Sequence, residues 1–304
     1  MSARIAIVSD DPGWHGKRLT EAFQNQGCTT RYVRLQDTHI LIDEARADIK
    51  LPGFEQLPDG VFVRGVPGGT LEEVMHYLDI LHALETLGVP VINNTRCIER
   101  SVDKAMTSFL LKHAGLPTPA TWIGSDVHAA YEHLREGLGH GQEFVMKPIF
   151  GSQGKGLRHI RSVEEISGLD EYSGVFYVQE FIPTEQNRGT DWRVFVTGTR
   201  AIAAMRREGT SWISNVAHGA KCISAKLESN IAQLAVDAAK VLSMDYAGVD
   251  LMCDRDGKFW VTEVNSVPAW KGLQSVTDFS IADEIVQFFL SRLYPERKIS
   301  VPGA

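Results

Sequence analysis

The glycine-rich loop that follows Lys147 is the first stretch whose residue types suggest chemistry. In FVMKPIFGSQGKGLRHI, residues 144–160, Lys147 ends an apolar strand and Lys155 lies within the loop. The loop is not a Walker A motif, because Gly156 instead of Ser or Thr follows the lysine, and it does not open a helix, because strand-like residues follow. A glycine loop between two strands predicts a flap whose backbone N–H groups can cover phosphates, to which Ser152 would add a hydroxyl. A plain flexible hairpin is the alternative.

A second group of chemical side chains lies in AGVDLMCDRDGKFWVTEVN, residues 247–265. The pair Asp256–Gly257 is a strong hairpin signal, and we expect it at the two central positions of a type I′ turn. Counting back from that turn sets Asp250 opposite Glu263, with Asn265 on the same face. Two facing carboxylates repel each other unless a cation lies between them, and these oxygen donors suit Mg²⁺. The pattern therefore predicts a magnesium site, with a solvent-facing polar strand face as the alternative.

The elements around these motifs predict a mixed fold. RIAIVSDD, a helix from about His15 to Gln26 and TTRYVRL form a βαβ opening, which indicates a parallel α/β lobe. Thr70 and Glu73 form a capping box before the periodic helix that ends at Gly88. We expect a domain boundary near Thr95. The strands and scattered helices after it indicate α+β architecture.

Bulk properties exclude several classes of protein. The 304 residues are 43% hydrophobic and 23% charged, as in globular proteins, and the net charge of -7 argues against a general nucleic-acid binder. No apolar run is long enough for a membrane span and no signal peptide pattern is present, so we expect a cytoplasmic protein that binds neither membrane nor nucleic acid. The scattered cysteines indicate neither disulfides nor a zinc site.

Several ordered motifs together resemble the ATP-grasp ligases, and within them the RimK-like glutamate ligases. They are DKAMTSFLLKHAGLPTP, MKPIFGSQGKG, VQEFI, DWRVFV, SNVAHGA, and GVDLM followed by TEVNSVPAWKGL. FVRGVPGGTLEEVMHYLDILHALETLGVPVINN is most similar to the branch that adds α-linked glutamate to a tetrahydromethanopterin-type C1 carrier. The resemblance implies an N-terminal pre-ATP-grasp α/β domain at 1–95, a central subdomain with the flap at 96–182, and a C-terminal subdomain with the magnesium and catalytic site at 183–304.

The resemblance also implies roles for individual residues. The lysines would contact the ATP phosphates and the base side, QEFI would meet the adenine, and Asp191 would approach the ribose. The implied ATP-binding residues are Lys104, Lys147, Gly151, Ser152, Gly154, Lys155, Gly156, Gln179, Glu180, Phe181, Ile182 and Asp191. Asp250, Glu263 and Asn265 match the family's magnesium ligands, for two Mg²⁺ ions or for Mn²⁺ in their place.

Acidic substrates require cationic groups, and arginine suits a carboxylate because its contacts are bidentate. The candidate substrate-binding residues are Arg64, Arg193, Ser266 and Trp270, and the candidate catalytic residues are Arg206, Arg207 and Asn215. Adjacent strand residues face opposite ways, so one of Arg206 and Arg207 points into the site, and the sequence leaves open which. Ile213 departs from the family pattern, where a basic residue is usual.

The resemblance implies an ATP-dependent ligase that forms an amide through an acyl phosphate. It would add L-glutamate to the carboxylate of a small-molecule cofactor precursor of the tetrahydromethanopterin or methanofuran type. The alternatives are a protein C-terminus or an amino-group carrier protein as acceptor, or a non-catalytic ATP-binding module. Whether the chain forms a homo-oligomer is left open.

Overall fold

The computed structural model describes residues 2–151, 154–166, 174–184, 189–209, 211–214 and 219–295. The chain divides into two compact units. The first contains the described parts of residues 1–99, 244–247 and 266–304, and the second those of 100–243 and 248–265. The three-part division at residues 95 and 182 stays a prediction.

The first unit is built on a parallel sheet, as the βαβ opening predicts, with strand order β2-β1-β5-β6. Its strands are β1 (Arg4–Val8), β2 (Thr29–Val33), β3 (His39–Ile42), β4 (Ala47–Lys50), β5 (Gly60–Val63) and β6 (Val91–Ile92). Its helices are α1 (Gly13–Asn25), a 3₁₀ turn (Leu35–Asp37), α2 (Leu71–Thr86), α7 (Lys271–Gln274) and α8 (Ile281–Leu293), and α3 (Thr95–Val102) runs from this unit into the second.

Helices cover both faces of a parallel sheet, so its strands are buried on both sides and consist of short apolar runs. Ile5, Ala6 and Ile7 are all fully buried, where a half-exposed strand would alternate. The capping box predicted for α2 is present, with Thr70 accepting from the N–H of Glu73 and returning its own N–H to the Glu73 carboxylate.

The second unit holds two sheets, with strand orders β7-β10-β8-β9 and β13-β12-β11-β14-β15. The pairs β7–β10, β10–β8, β8–β9, β13–β12, β12–β11 and β14–β15 are antiparallel. Its strands are β7 (Thr121–Gly124), β8 (Phe144–Lys147), β9 (Arg158–Ile160), β10 (Phe176–Glu180), β11 (Thr190–Thr197), β12 (Arg200–Glu208), β13 (Lys221–Ser224), β14 (Tyr246–Cys253) and β15 (Phe259–Asn265). The first two residues of β14 belong to the first unit. Its helices are α4 (Lys104–His113), α5 (Val127–Gly139), a 3₁₀ turn (Val163–Glu165) and α6 (Ser229–Val241). Among the described residues, no helix combines the length and hydropathy that a bilayer crossing requires.

The hairpin of β14 and β15 confirms the predicted facing pair and corrects its turn. Asp250 lies opposite Glu263, and Gly248 opposite Asn265. The turn is not type I′, because Asp256 lacks the positive φ that this turn requires, and the Asp254 N–H bonds the Lys258 carbonyl around a three-residue loop. That loop shifts the register by one residue, and a bulge after Asp250 restores it.

Asn93, at the carboxyl end of β6, organises the first unit. Its side chain is fully buried and donates to the carbonyls of Tyr246 and Ser266 at 2.7 and 2.6 Å. Its oxygen accepts the N–H groups of Asp245 and Tyr246 at 2.7 and 3.0 Å. One amide therefore fixes both segments where the chain returns to this unit.

We expect Asn93→Ala to lower the free energy of unfolding by about 2 to 4 kcal/mol, because it leaves buried N–H and C=O groups without partners. Urea denaturation would measure the change. Asn25→Ala, the same truncation at an exposed position of α1, is the control. Equal losses in both variants would contradict this role.

Candidate active site

A chain of charged groups crosses one face of the sheet in the second unit. Asp250 on β14 binds the guanidinium of Arg193 through both its oxygens, and its Oδ2 also accepts from Arg207 Nη2 at 2.9 Å. Arg207 in turn makes two 2.6 Å bonds to Asp191, directly opposite it on β11. The Ser214 hydroxyl donates to Asp191. All four charged side chains are at least nine-tenths buried.

The opposite charges of these ion-paired side chains stabilise one another. Burial opposes ionisation of Asp250, but the guanidinium groups of Arg193 and Arg207 hold its pKa below the usual value. Burial raises the pKa of Asp191, despite its bonds to Arg207. Burial also opposes the charge on Arg207, yet the two carboxylates raise its pKa. The fork of Arg207 therefore stays charged and fixed in orientation.

Glu263 and Asn265 add oxygen atoms beside these ion-paired side chains. The Asn265 Nδ2 lies 3.4 Å from the Gly248 carbonyl, which leaves its Oδ1 as an acceptor. From the described residues, Asp250 Oδ1 accepts a single N–H, which leaves it a lone pair. Within the described residues, no cluster of three or more His, Cys, Asp or Glu side chains would hold a metal ion. The hard oxygen donors nevertheless fit Mg²⁺, which uses few carboxylates and completes its shell with phosphate and water.

Lys147 ends β8 within a network of side chains. Its Nζ donates to Gln179 Oε1 at 2.7 Å, and Gln179 donates to Thr121 and to the Tyr177 hydroxyl. The Tyr177 hydroxyl is 2.7 Å from that of Ser108. Burial lowers the pKa of Lys147 to about 8, and the cation of Lys104 acts in the same direction. Lys147 is thus held in place by Gln179, and its lowered pKa lies close to neutral pH.

Lys104 binds the backbone where the glycine loop begins. The Lys104 Nζ donates to the carbonyls of Ile149 and Gly151 at 3.2 and 2.8 Å. Gly154 and Gly156 have φ near +70°, a conformation that other residues rarely adopt. A Cβ at Gly156 would also lie 2.8 Å from Pro148. The glycines are therefore required by the path of the backbone.

The cavity collects most of the residues that the sequence indicated for nucleotide binding. Its volume is about 130 Å³, below the roughly 300–1,000 Å³ of small-molecule pockets, so a nucleotide requires side chains or loop to move. Its lining includes Lys104, Lys147, Gly151, Gly154, Lys155, Gln179, Glu180, Phe181, Ile182, Asp191, Arg207, Asp250 and Glu263. Ser152 and Asn215 lie outside the described residues.

Two of the three backbone N–H groups at residues 180–182 are already used in hydrogen bonds. The Phe181 N–H already donates to the Glu143 carbonyl at 2.8 Å, and the Glu180 N–H to Ala120. In the described part of the chain, the Ile182 N–H has no backbone acceptor. It and the Phe181 carbonyl could bind the edge of a base.

Two aromatic side chains at the cavity edge, His159 and Trp212, were not predicted from the sequence, whereas their neighbour Phe181 was. The ring of His159 stacks on Phe181 with centroids 4.1 Å apart, and Trp212 lies 5.4 Å from His159. Phe181 and Trp212 both line the cavity. No local pattern marked Trp212, because its loop has no regular period.

Of the two adjacent arginines on β12, Arg207 is the one that points into the site. Arg207 is 4% exposed and lines the cavity, whereas the Arg206 side chain is 42% exposed and pairs with Glu208. The remaining substrate candidates, Arg64, Trp270 and Ser266, belong to the first unit. Arg64 lies over the Trp270 ring at 5.4 Å.

Known proteins resemble both the sequence and the fold. The family model for the RimK-like ATP-grasp domain matches residues 101–289. The tetrahydromethanopterin:alpha-L-glutamate ligase of Methanococcus maripaludis is 30% identical over 295 residues, covering 93% of this chain and 96% of that protein. A probable alpha-L-glutamate ligase of Legionella pneumophila is 29% identical over 299 residues, covering 96% and 97%. The ATP-grasp ligase PsnB, solved with its minimal precursor, Mg and ADP, has a TM-score of 0.74 at 20% identity, covering 95% and 97%.

We expect Arg207→Met to destabilise the protein by about 3 to 5 kcal/mol, because it leaves two carboxylates buried without their shared cation. Arg206→Met, one residue away on the same strand, should cost less than about 1 kcal/mol, as for an exposed ion pair. Guanidinium denaturation of both variants gives the comparison. Similar losses would contradict the assignment of the inward side chain.

The lowered pKa of Lys147 predicts how its contribution to the free energy of unfolding changes with pH. Its pKa of about 8 in the folded protein lies below that of about 10.4 for an exposed lysine, so between these values the unfolded chain binds more protons. The free energy of unfolding of the metal- and nucleotide-free wild type should therefore rise relative to Lys147→Met as the pH goes from 7.5 to 9.5. Urea titrations at both pH values measure this, and the exposed Lys17→Met serves as control. A constant or falling difference would refute it.

Proposed function

Because this chain belongs to the RimK-like ATP-grasp family of carboxylate–amine ligases, we propose that it uses ATP to join L-glutamate to the carboxylate of a small-molecule cofactor precursor. The observation that carries the proposal is the cavity of the second unit, where two lysines, Glu263 and the Asp250–Arg207 pair line one space beside a glycine loop. An acceptor of the tetrahydromethanopterin type follows the most similar of the curated relatives described above.

ATP would occupy this cavity. In the proposal, Lys104 and Lys147 contact its phosphates, the glycine loop with Ser152 and Lys155 covers them, and the adenine meets the backbone at Phe181 and Ile182. Lys104 would have to leave the carbonyls that it binds, and the Lys147–Gln179 bond supports Lys147 in place. Glu180 would meet the base and Asp191 the ribose. Because Arg207 binds both oxygens of the Asp191 carboxylate, the ribose would share an oxygen with this arginine.

Magnesium would be held by Glu263, Asn265 and the free lone pair of Asp250. When bound, it would neutralise negative charge on the phosphate oxygens. Two ions, or Mn²⁺ instead, remain part of the proposal. The chain's own contribution is orientation, because Arg193 and Arg207 bind the Asp250 carboxylate and hold it in one position.

Amide formation requires activation, because the oxygen of a carboxylate is a poor leaving group. In the proposed reaction the acceptor carboxylate attacks the γ-phosphate, forming an acyl phosphate and ADP. The glutamate amine then adds to the acyl carbon, phosphate leaves with the former carboxylate oxygen, and the amine loses a proton. Arg207 and Asn215 would stabilise the developing oxyanion. No protein nucleophile takes part, and the loop would exclude water from the acyl phosphate.

The proposal is tested by incubating the protein with ATP, Mg²⁺, L-glutamate and a panel of acceptors: tetrahydromethanopterin and methanofuran precursors, a peptide C-terminus and an amino-group carrier protein. ADP release and a glutamyl mass increment are measured together. An increment on a cofactor precursor supports the proposal, and one on a peptide or carrier protein replaces the acceptor. ADP release without a modified acceptor would retain only the ATP chemistry. No ADP under any combination would favour a non-catalytic binding module.

We expect Glu263→Gln to reduce turnover by at least roughly 100-fold, because the amide is a weaker ligand for a divalent cation. Its melting temperature should match that of the wild type. Glu132→Gln, an exposed position on α5, is the matched control. Turnover of Glu263→Gln within a few-fold of the wild type would exclude Glu263 as a metal ligand.

A further inference from the structure

The carboxyl edge of the parallel sheet in the first unit carries a cluster that the proposed chemistry does not use. His15 lies in the first turn of α1, which follows β1, and Arg64 follows β5. The Arg64 N–H donates to the Val8 carbonyl at 2.9 Å, which fixes the base of its side chain at this edge. Ligands commonly bind at the carboxyl ends of parallel strands.

His15 fixes the backbone where α7 begins. Its Nε2 accepts the N–H groups of Trp270 and Lys271 at 3.1 and 3.3 Å, so the ring proton must be on Nδ1. The ring also lies edge-on to Trp14 and Trp270, with centroids 5.1 and 4.6 Å away. Burial, with Arg64 and Lys271, lowers the pKa of His15 to about 4. The imidazole is therefore neutral near pH 7.

The other half of the cluster is the Arg64 guanidinium, which has no counterion in the described part of the chain. Arg64 is half-buried over the Trp270 ring, and its buried Nε has no hydrogen-bond partner among the residues with a described position. Within the described residues no carboxylate lies within ion-pair distance of it. Arg193 and Arg207 of the second unit contrast with this, since each holds a carboxylate with two N–H groups. Partly burying an unpaired charge is costly, so this arrangement favours an anionic ligand.

We propose that Arg64 and His15 form a carboxylate pocket for the acceptor substrate, with Arg64 binding the carboxylate and His15 acting as the positioning residue. His15 holds Trp270 and Lys271 in place and leaves its Nδ1–H as a donor, which has no acceptor among the described residues. This inference rests on the proposed function and names the part of the first unit that recognises the acceptor.

The chemistry of the cluster favours the acceptor over the amino acid. Glutamate carries an ammonium group, which Arg64 and Lys271 would repel, whereas an acceptor carboxylate brings only negative charge. The aromatic rings of Trp14 and Trp270 also suit a larger molecule with an apolar stem. The ATP phosphates already have cations in the second unit, so a separate phosphate site is not needed.

Steady-state kinetics with four variants tests the proposal. Arg64→Met should raise the KM for the acceptor by about 10- to 100-fold, the loss expected for a charge-assisted pair, with the KM for ATP within twofold. His15→Phe keeps a ring but lacks the acceptor atom, and should raise the same KM about 10-fold. His15→Gln restores an acceptor and should return to within about threefold of the wild type. Arg34→Met, an exposed arginine following β2 of the same sheet, is the control.

An unchanged acceptor KM in Arg64→Met would overturn the pocket, and a rise in the KM for glutamate instead would assign it to the amino acid. Equal impairment of His15→Phe and His15→Gln would overturn the positioning role. Matching melting temperatures exclude misfolding of a variant as the cause.

A binding experiment separates failure of the pocket from failure of the ligase function. Tryptophan fluorescence is followed while glutarate, or its uncharged analogue glutaramide, is added to the wild type and to Arg64→Met. Saturable quenching by glutarate in the wild type alone, and none by glutaramide, supports the pocket even when no amide product forms. The same response in Arg64→Met, or no response in the wild type, overturns it.

Discussion

The sharing of Asp250 between two guanidinium groups is the interaction on which the candidate site depends. A carboxylate buried beside Glu263 would be driven towards its neutral form, and the arginines prevent this by matching its charge. The same contacts fix Arg207 against Asp191, so strands β11, β12 and β14 are joined by side chains as well as by backbone bonds. The ion pairs that balance the charges of the site therefore also hold these strands of the sheet together.

The two units handle cations differently. In the second unit, Arg193 and Arg207 are paired with buried carboxylates. Lys104 and Lys147 instead bind backbone carbonyls or a side-chain amide, which are contacts that exchange easily. In the first unit, the Arg64 Nε has no hydrogen-bond partner among the residues that the structure describes. Paired cations stabilise the fold, whereas exchangeable or unpaired ones are free to bind substrates, and the distribution follows the roles that we propose.

The sequence predicted what depends on local patterns. The parallel lobe, the capping box at Thr70 and the facing of Asp250 and Glu263 all follow from periodicity, caps and register, and the family resemblance is confirmed by the matching relatives. The roles of the individual site residues stay proposals. The sequence did not reveal which arginine points inward, the network around Lys147, or the bond between His15 and Trp270. These depend on contacts between residues as far apart as 255 positions, which no local pattern encodes.

The bulge in the β14–β15 hairpin separates the geometry of the site from that of its turn. Thr262 is the extra residue, and its hydroxyl donates to the Asp250 carbonyl at 3.1 Å, which anchors the irregularity beside the facing carboxylates. The turn at residues 254–258 lies beyond this anchor. Relatives could therefore lengthen, shorten or recompose that turn over evolutionary time while the distance between the two carboxylates stays the same.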